Sequence, residues 1–189
     1  MHSHPANLVV LLSGGGRTLL NLQDRIDDAS LNARVSLAIA SRHCVGVDRA
    51  RARGLKTTII PGRIPRDTLA KLLDDAHADL VVLAGYLQLI EVPEQYRGKI
   101  INIHPALLPA FGGPGMFGHH VHEAVLKSGA TESGCTVHLV DDRYDSGRIL
   151  LQRRCPVLPG DTPDTLAARV FEQECLAYPA AIAELLNVR

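Results

Sequence analysis

The sequence predicts an α/β fold in which helices cover both faces of a mostly parallel, doubly wound, Rossmann-like sheet. Short apolar runs alternate with amphipathic stretches through about the first 100 residues, as expected for repeated strand–helix–strand units. In the second half, two strand-like runs are separated by too few residues for a helical crossover, which predicts an antiparallel pair. We therefore expect a flexible N-terminus over residues 1–6 and a single domain over 7–189.

The first half contains five predicted strands and three predicted helices. The run 79–84 is continuous in leucine, valine and alanine after its first residue, which is typical of a strand buried on both faces. Gly54 ends the second helix, and Pro65 begins the third, whose apolar residues recur at helical spacing. The predicted strands cover 7–12, 35–40, 56–60, 79–84 and 99–103, and the predicted helices cover 18–26, 45–53 and 65–77.

The second half begins with a glycine-rich irregular stretch over 109–117, followed by a short helix over 121–126. Loops of this kind are often functional lids. Strands over 131–140 and 149–157 form the predicted antiparallel pair. A long helix should begin after the capping segment 161–164 and run to about Leu186, with a break near Pro179 because proline lacks an N–H donor.

The composition excludes several classes of function. Lys plus Arg and Asp plus Glu each number 20, so no overall basic charge favours nucleic acid. All apolar runs are shorter than the roughly 18 residues of a membrane span, and the N-terminus lacks a signal-peptide pattern. The four cysteines contain no Cys-x-x-Cys pair, which favours free thiols over a zinc site. We expect a cytoplasmic protein that contacts neither nucleic acid nor membranes.

Three polar residues near predicted strand ends are the strongest functional signal. Asn102 and His104 alternate with isoleucines, so both side chains point to one face of their strand, and Asp145 follows about forty residues later. An amide, an imidazole and a carboxylate suit acyl transfer through a tetrahedral intermediate, where an oxyanion needs donors and an amine must lose a proton. Taken alone, Asn102 would more simply be interpreted as a strand-end amide whose hydrogen bonds are satisfied, and His104 as a core histidine.

The motif Asn-x-His-Pro-x-Leu-Leu-Pro at 102–109, followed by a glycine-rich loop and by Asp-x-Gly at 145–147, resembles the folate-dependent formyltransferases. The resemblance is strongest to the members that formylate glycinamide ribonucleotide in purine biosynthesis. It implies two small-molecule substrates, glycinamide ribonucleotide and the co-substrate 10-formyltetrahydrofolate, and no metal. It also implies that Asn102 and His104 hydrogen-bond the formyl oxygen and that Asp145 orients His104. The carboxylate should raise the pKa of His104.

The resemblance also assigns residues to the ribonucleotide. The loop Ser13-Gly14-Gly15-Gly16-Arg17-Thr18 lies between the first strand and the first helix, where backbone N–H groups favour an anion, although a plain tight turn would have the same pattern. By resemblance, Gly16, Arg17 and Thr18 bind the substrate phosphate, although many relatives have Ser-Asn in place of Arg17-Thr18. Glu174 should bind the ribose hydroxyls. Phe171 replaces a polar phosphate contact of relatives, so we expect that contact to be absent.

A second set of residues is assigned to the folate. The segment after the fourth strand should line the folate pocket, and the turn before Asp-x-Gly should hold the pterin, while Arg66 is the candidate contact for the cofactor tail. Relatives often carry arginine at the position of Gln88. The complete predicted folate set is Arg66, Leu87, Gln88, Leu89, Ile90, Asn102, Val140, Asp141, Asp142, Arg143, Tyr144 and Asp145.

Other interpretations stay open at this point. His119, His120 and His122 are predicted to be surface or helix-start residues rather than zinc ligands. His138, which alternates in its strand, is predicted to be structural or to support the catalytic groups rather than to be catalytic. The acidic turn Asp141, Asp142 and Asp145 could suggest magnesium, but such residues are common in turns. The alternative functions are another folate-dependent formyl transfer, hydrolysis of the formyl-folate, or a binding module without turnover. The protein should be a monomer or a homodimer.

Overall fold

The computed structural model describes residues 4–187 and contains one sheet of seven strands in the order β3-β2-β1-β4-β5-β6-β7. The strands are β1 (Ala6–Leu12), β2 (Ala33–Ala40), β3 (Thr57–Ile59), β4 (Leu80–Leu83), β5 (Ile100–His104), β6 (Glu132–Leu139) and β7 (Ile149–Pro156). The helices are α1 (Arg17–Asp27), α2 (Val45–Ala52), α3 (Arg66–Asp75), α4 (His119–Lys127) and α5 (Pro163–Asn187). Every predicted element is present, with bounds that differ by one or two residues.

The parallel half of the sheet was predicted and is confirmed. Strand β1 pairs in parallel with β2 and β4, and further parallel pairs join β2 to β3 and β4 to β5. All four residues of β4 are buried, as its continuous apolar sequence predicts. The carboxyl ends of β1, β4 and β5 therefore meet at one edge of the sheet, where doubly wound folds place ligands.

The antiparallel half is larger than predicted. The pair β6–β7 is antiparallel as expected, and β5 also pairs antiparallel with β6. The segment between β5 and β6 includes helix α4, so its length alone did not exclude a parallel crossover. This register places His138 opposite Asn102 and Thr136 opposite His104, which brings a second histidine to the predicted site.

Alternate residues of the strands supply the two hydrophobic cores. Leu8 and Val10 of β1 belong to the core that also contains residues of α1, α2 and α5. Val9 and Leu11 belong to the opposite core, which contains Leu69 and other residues of α3. Helices thus cover both faces of the sheet, as the doubly wound prediction requires. No helix among residues 4–187 is long and apolar enough to span a membrane.

The predicted break at Pro179 is wrong, because α5 runs without interruption from Pro163 to Asn187. Proline in a helix removes the hydrogen bond to the carbonyl four residues earlier, here that of Cys175. The side-chain Nδ2 of Asn21 on α1 donates to that carbonyl at 3.2 Å. A contact between two helices thus replaces the hydrogen bond that Pro179 cannot make.

Candidate active site

A cavity of about 470 Å³ lies at the carboxyl ends of β1, β4 and β5. Its size is within the range of small-molecule sites, which is roughly 300–1,000 Å³. The start of α1, the segment after β4, the glycine-rich loop before α4, the turn between β6 and β7, and one face of α5 form its walls. The predicted catalytic and ribonucleotide residues other than Gly16 line this one cavity; they are Arg17, Thr18, Asn102, His104, Asp145 and Glu174.

The structure brings Asn102, His104 and Asp145 together at the end of β5. Oδ2 of Asp145 lies 3.5 Å from Nδ1 of His104, and Oδ1 of Asp145 lies 3.5 Å from Nδ2 of Asn102. The His104 and Asp145 side chains are 4% and 9% exposed. The three groups thus surround a small, largely desolvated region in which hydrogen bonds and charges act strongly.

Local backbone geometry explains the Asp-x-Gly sequence. Asp145 has φ 52°, a left-handed conformation that few residues other than glycine adopt. The backbone N–H of Gly113, in the glycine-rich loop, donates to its Oδ2 at 2.9 Å. Gly147 packs so closely on β6 that an added Cβ would lie 1.8 Å from the carbonyl oxygen of Leu139. The glycine therefore allows the turn to lie against β6 and to place the carboxylate beside β5.

His138 lies directly against two of the three groups, Asn102 and Asp145, as its predicted structural or supporting role allows. Its Nε2 lies 3.1 Å from Nδ2 of Asn102 and 3.5 Å from Oδ1 of Asp145. Its Nδ1 lies 2.8 Å from the carbonyl oxygen of Leu139, which can only accept, so Nδ1 carries a hydrogen. Nε2 can then accept a hydrogen bond from the Asn102 amide and fix its orientation. The alternation of residues along β6 indicated the face on which His138 lies, but the sequence did not predict that β6 pairs with β5.

The expected rise in the pKa of His104 is wrong. Burial lowers the pKa of His104, and the Asp145 carboxylate and the Phe111 carbonyl, which favour the charged form, offset only part of this effect. Nε2 of His104 lies 2.8 Å from the Phe111 carbonyl oxygen and therefore carries a hydrogen. Burial acts to raise the pKa of Asp145, but its contacts with His138 and His104 and the hydrogen bond from the Gly113 N–H together lower it. The site thus combines a carboxylate with a predominantly neutral imidazole near pH 7.

The opposite end of the cavity contains Arg17, Thr18, Phe171 and Glu174. The Arg17 guanidinium carbon lies 3.7 Å from the centroid of the Phe171 ring, a stacked cation–π geometry. Burial raises the pKa of Glu174 to about 7, and the nearby positive charge of Arg17 offsets a smaller part. The Glu174 side chain is only half-buried by surface area because one side of it opens to the cavity.

The glycine loop before α1 is shaped for a close approach to α2. Gly16 caps α1 with φ 72°, and a Cβ on it would lie 2.7 Å from Cα of Gly46. Helix α1 has no side-chain cap and no acidic residue in its first turn. Gly16 itself is buried and does not line the cavity. Arg42 and Arg49 donate to the carbonyl oxygens of Ser13 and Gly15, which leaves the loop in a positive environment.

Most residues predicted to bind folate line the cavity, and two do not. Arg66 is exposed at the start of α3, and Asp142 bonds outward to Arg97 and to the backbone N–H of Val92. Neither is among the residues that form the cavity wall. The folate-set residues in the wall are Leu87, Gln88, Leu89, Ile90, Asn102, Val140, Asp141, Arg143, Tyr144 and Asp145.

Sequence reasoning missed the contribution of the glycine-rich loop and the start of α4. Met116 and Phe117 line the cavity together with His119 and His122, of which His122 is only 4% exposed. Nδ1 of His122 is buried without a hydrogen-bond partner. The loop composition indicated a lid but not which side chains face inward. Within residues 4–187, no group of three or more histidine, cysteine, aspartate or glutamate side chains has an arrangement that could hold a metal ion.

Known proteins resemble this chain over nearly its whole length. The chain matches the formyl transferase family over residues 6–182. It is 41% identical to the phosphoribosylglycinamide formyltransferase, chloroplastic, of Arabidopsis thaliana, over 96% of this chain and 66% of that protein. It is 35% identical to the phosphoribosylglycinamide formyltransferase of Escherichia coli, over 94% of this chain and 85% of that protein.

A solved structure agrees with these sequence matches. The glycinamide ribonucleotide transformylase 1 of Symbiobacterium toebii superposes with a TM-score of 0.86 and 35% identity, over 96% of this chain and 88% of that one. The chain therefore belongs to the formyl transferase family. It spans slightly less than two thirds of the length of the plant relative.

Proposed function

We propose that the protein transfers a formyl group from 10-formyltetrahydrofolate to the amine of glycinamide ribonucleotide. The observation that carries this proposal is the placement of Asn102, His104 and Asp145 in mutual contact within the cavity that also contains Arg17 and the start of α1. The names of the plant and bacterial relatives support the same substrate. A formyl-folate is the donor that the family implies.

The proposed reaction needs no covalent enzyme intermediate. The amine of the ribonucleotide attacks the formyl carbon, and the C=O electron pair moves to the oxygen to form a tetrahedral intermediate. The intermediate collapses by breaking the bond to N10 of the folate, which leaves as the amine after gaining a proton. Donors held in a desolvated site stabilise an oxyanion more strongly than donors in water. Asn102 and His104 are those donors in this proposal, and the Nε2–H of His104 moves its hydrogen bond from the Phe111 carbonyl oxygen to the formyl oxygen.

Asp145 has two roles in the proposed mechanism. Its carboxylate lies beside Nδ1 of His104 and orients that ring, and it stabilises positive charge that develops on the imidazole. It also accepts the proton that the attacking amine loses, directly or through water. Its lowered pKa keeps it ionised for both roles near neutral pH. His138 orients Asn102 through the hydrogen bond between Nε2 and the amide.

The two substrates occupy different parts of the cavity in this proposal. The ribonucleotide phosphate binds at Gly16, Arg17 and Thr18, with Glu174 at the ribose hydroxyls. The folate binds between the segment after β4 and the turn before Asp145. The roles of Gly16, Arg66 and Asp142 stay predictions, since all three lie outside the cavity wall. The cytoplasmic location and the monomeric or dimeric state also stay predictions.

The direct test is to incubate the protein with glycinamide ribonucleotide and 10-formyltetrahydrofolate and to identify the products by mass spectrometry. Formylated ribonucleotide and tetrahydrofolate in equal amounts are the expected result. Formate without formylated ribonucleotide would identify a hydrolase instead. Binding of both ligands without turnover would identify a binding module. Formyl transfer only to a different amine would place the protein in another branch of the family.

A further inference from the structure

The stacked pair of Arg17 and Phe171 has a property that the proposed mechanism does not use. Arg17 is the first residue of α1, whereas Phe171 belongs to α5, and both face the cavity. In the region from residue 4 to residue 187, the Arg17 guanidinium makes no hydrogen bond or ion pair with another side chain or with the backbone. Its guanidinium carbon lies over the face of the Phe171 ring, 3.7 Å from the centroid.

Stacking orients a guanidinium without neutralising it. The N–H donors of arginine lie in the plane of the group, so a ring against one face leaves all five donors free at the edge. A free arginine side chain has about 2 kcal/mol of rotamer entropy, much of which an anion would otherwise have to remove on binding. The ring therefore makes Arg17 a pre-oriented cation with its donors directed away from the ring face.

The surroundings favour a phosphate as the ligand of this cation. The uncapped amino-terminal end of α1 adds its partial positive charge, and no acidic residue lies in its first turn. Two further arginines, Arg42 and Arg49, are bonded to carbonyl groups of the preceding loop. A planar fork of donors fits a phosphate through two parallel hydrogen bonds.

We propose that Phe171 is a positioning residue that holds the Arg17 guanidinium in the orientation that binds the substrate phosphate. This inference rests on the proposed function for the identity of the ribonucleotide, but it does not depend on turnover. It also revises the expectation that Phe171 only removes a polar contact. The phenyl ring cannot hydrogen-bond phosphate, and it acts through the arginine that it orients.

The pair is also placed to distinguish phosphorylated from unphosphorylated ligands. Ala167, Phe171 and Glu174 lie on one face of α5, about one helical turn apart, and all three line the cavity. The positive charge of Arg17 is close enough to Glu174 to lower the pKa of its carboxyl, against the larger effect of burial. Because no salt bridge within 4.0 Å joins Glu174 to Arg17, the arginine stays available to an external anion.

A double-mutant cycle tests this role. Ribose 5-phosphate, ribose and a formyl-folate analogue are titrated by calorimetry into the full chain carrying Phe171→Leu, Arg17→Gln or both. Phe171→Leu removes the ring but keeps an apolar side chain. It should weaken ribose 5-phosphate binding about 3- to 30-fold, as expected for loss of a cation–π contact of about 0.5–2 kcal/mol. In the Arg17→Gln background, the same change should have little further effect. Binding of the folate analogue should stay unchanged.

Two further variants separate positioning from general damage. Phe171→Tyr retains the ring face and should bind ribose 5-phosphate as the parent does. Leu176→Ala alters an exposed residue of the same helix outside the cavity and should leave phosphate binding unchanged. Thermal unfolding of each variant checks that it is folded. In steady-state assays, Phe171→Leu should raise KM for the ribonucleotide, with kcat changed by no more than about twofold.

The outcomes separate this inference from the proposed function. Additive effects of Phe171→Leu and Arg17→Gln would overturn the positioning role, as would equal weakening of phosphate and folate binding or a normal Kd in Phe171→Leu. Coupled phosphate binding without formyl transfer would refute the proposed function and leave the positioning role intact. Formyl transfer with additive effects would refute the positioning role and leave the proposed function intact.

Discussion

The two ends of the cavity satisfy their polar groups in opposite ways. At the end of β5, Asp145 contacts Asn102, His104 and His138, and Asn102 also contacts His138, so the polar groups already have partners. At the other end, Arg17 has an aromatic ring for a neighbour, and Glu174 has a pKa raised by burial. The end at β5 is preorganised by the protein, whereas the end at Arg17 has a cation that an anionic ligand can bind.

This difference predicts different costs for mutation. Preorganised donors act on charge that develops during the reaction, so their loss should affect rate more than binding. Groups that bind the substrate before it reacts stabilise the ground-state complex, so their loss should affect Kd and KM. Each prediction below tests one end and uses the other as its reference.

The largest effect is expected at the catalytic end. His104→Ala and Asp145→Asn should each lower the single-turnover rate by about 10²–10³, or roughly 3–4 kcal/mol, because each removes part of one oxyanion-stabilising unit. The double variant should be little worse than the worse single variant, since effects within a unit are not additive. Rapid-quench rates at saturating substrates, with Kd values for both ligands, measure this.

The chain offers a matched control in the exposed pair His43 and Asp48, whose side chains lie 3.2 Å apart. His43→Ala and Asp48→Asn should leave the rate unchanged. Strictly additive losses in His104→Ala and Asp145→Asn would show that the two residues act independently. A normal rate in His104→Ala would remove it from the mechanism.

The second effect is expected at the phosphate end. Arg17→Ala should weaken ribonucleotide binding roughly 10- to 100-fold, because hydrogen bonds to charged groups contribute about 1.5–3 kcal/mol. Folate binding should change far less, since the predicted folate residues in the cavity wall belong to β5, to the segment after β4 and to the turn between β6 and β7 rather than to α1. Arg25→Ala is the control, because Arg25 is on the same helix and pairs with Asp28 away from the cavity. Equal weakening of both ligands by Arg17→Ala would contradict a phosphate site here.

A third, smaller effect should appear in the pH dependence of stability. The pKa of Glu174 is about 7 in the folded protein, above its ordinary value of 4.5. The protonated carboxyl therefore contributes stability that is fully present below about pH 4.5 and is lost as the pH rises through 7. Relative to the parent, Glu174→Gln should gain about 1–2 kcal/mol in free energy of unfolding between pH 5 and pH 8, after allowance for partial exposure.

Urea unfolding of both proteins at the two pH values measures the change, and the difference between them removes the contributions of other titrating groups. Glu172→Gln, an exposed change on the same helix, is the control and should show no such trend. An unchanged difference between pH 5 and pH 8 would mean that the carboxyl of Glu174 is ionised throughout.

The contrast between the two ends also shows what the sequence could predict. The proximity of Asn102, His104 and Asp145 was predicted because the first two alternate on one strand and because a motif links them to Asp145. The direction of the shift in the pKa of His104 was not predicted. The sequence shows the neighbouring carboxylate, which raises this pKa, but not the burial, which lowers it by more. The contact of His138 with Asn102 was not predicted either, because the length of the connection between β5 and β6 left their pairing undetermined.

At the end of the cavity that contains Arg17, the sequence indicated the individual residues but not the contact between them. Arg17 and Phe171 are separated by more than 150 residues, and nothing in either local pattern indicates that one stacks on the other. Arg66 was assigned by resemblance alone; it is exposed at the start of α3 and outside the cavity wall, so its role stays a prediction. Local periodicity does not indicate which residues that are distant in sequence come into contact.

The smallest effect is expected where α1 meets α5, the two helices that provide the phosphate end. Asn21→Ala removes the donor to the Cys175 carbonyl, which Pro179 leaves without its helical partner. The free energy of unfolding should fall by about 1 kcal/mol, as for the loss of one partly buried hydrogen bond. Gln23→Ala is the control, because its exposed bond to Asp27 lies within α1 and should contribute less.

Pro179→Ala makes this prediction specific. Alanine restores an N–H four residues after Cys175, so the carbonyl gains a second donor and Asn21→Ala should cost less in that background. Phosphate binding should weaken slightly in Asn21→Ala, since Arg17 and Phe171 lie on the two helices that this contact joins, while the single-turnover rate at saturating substrate stays unchanged. Urea unfolding of the two single variants and the double variant measures the coupling. If Asn21→Ala costs as much with alanine at position 179 as with proline, the side chain does not substitute for the missing helical bond, and the uninterrupted course of α5 needs another cause.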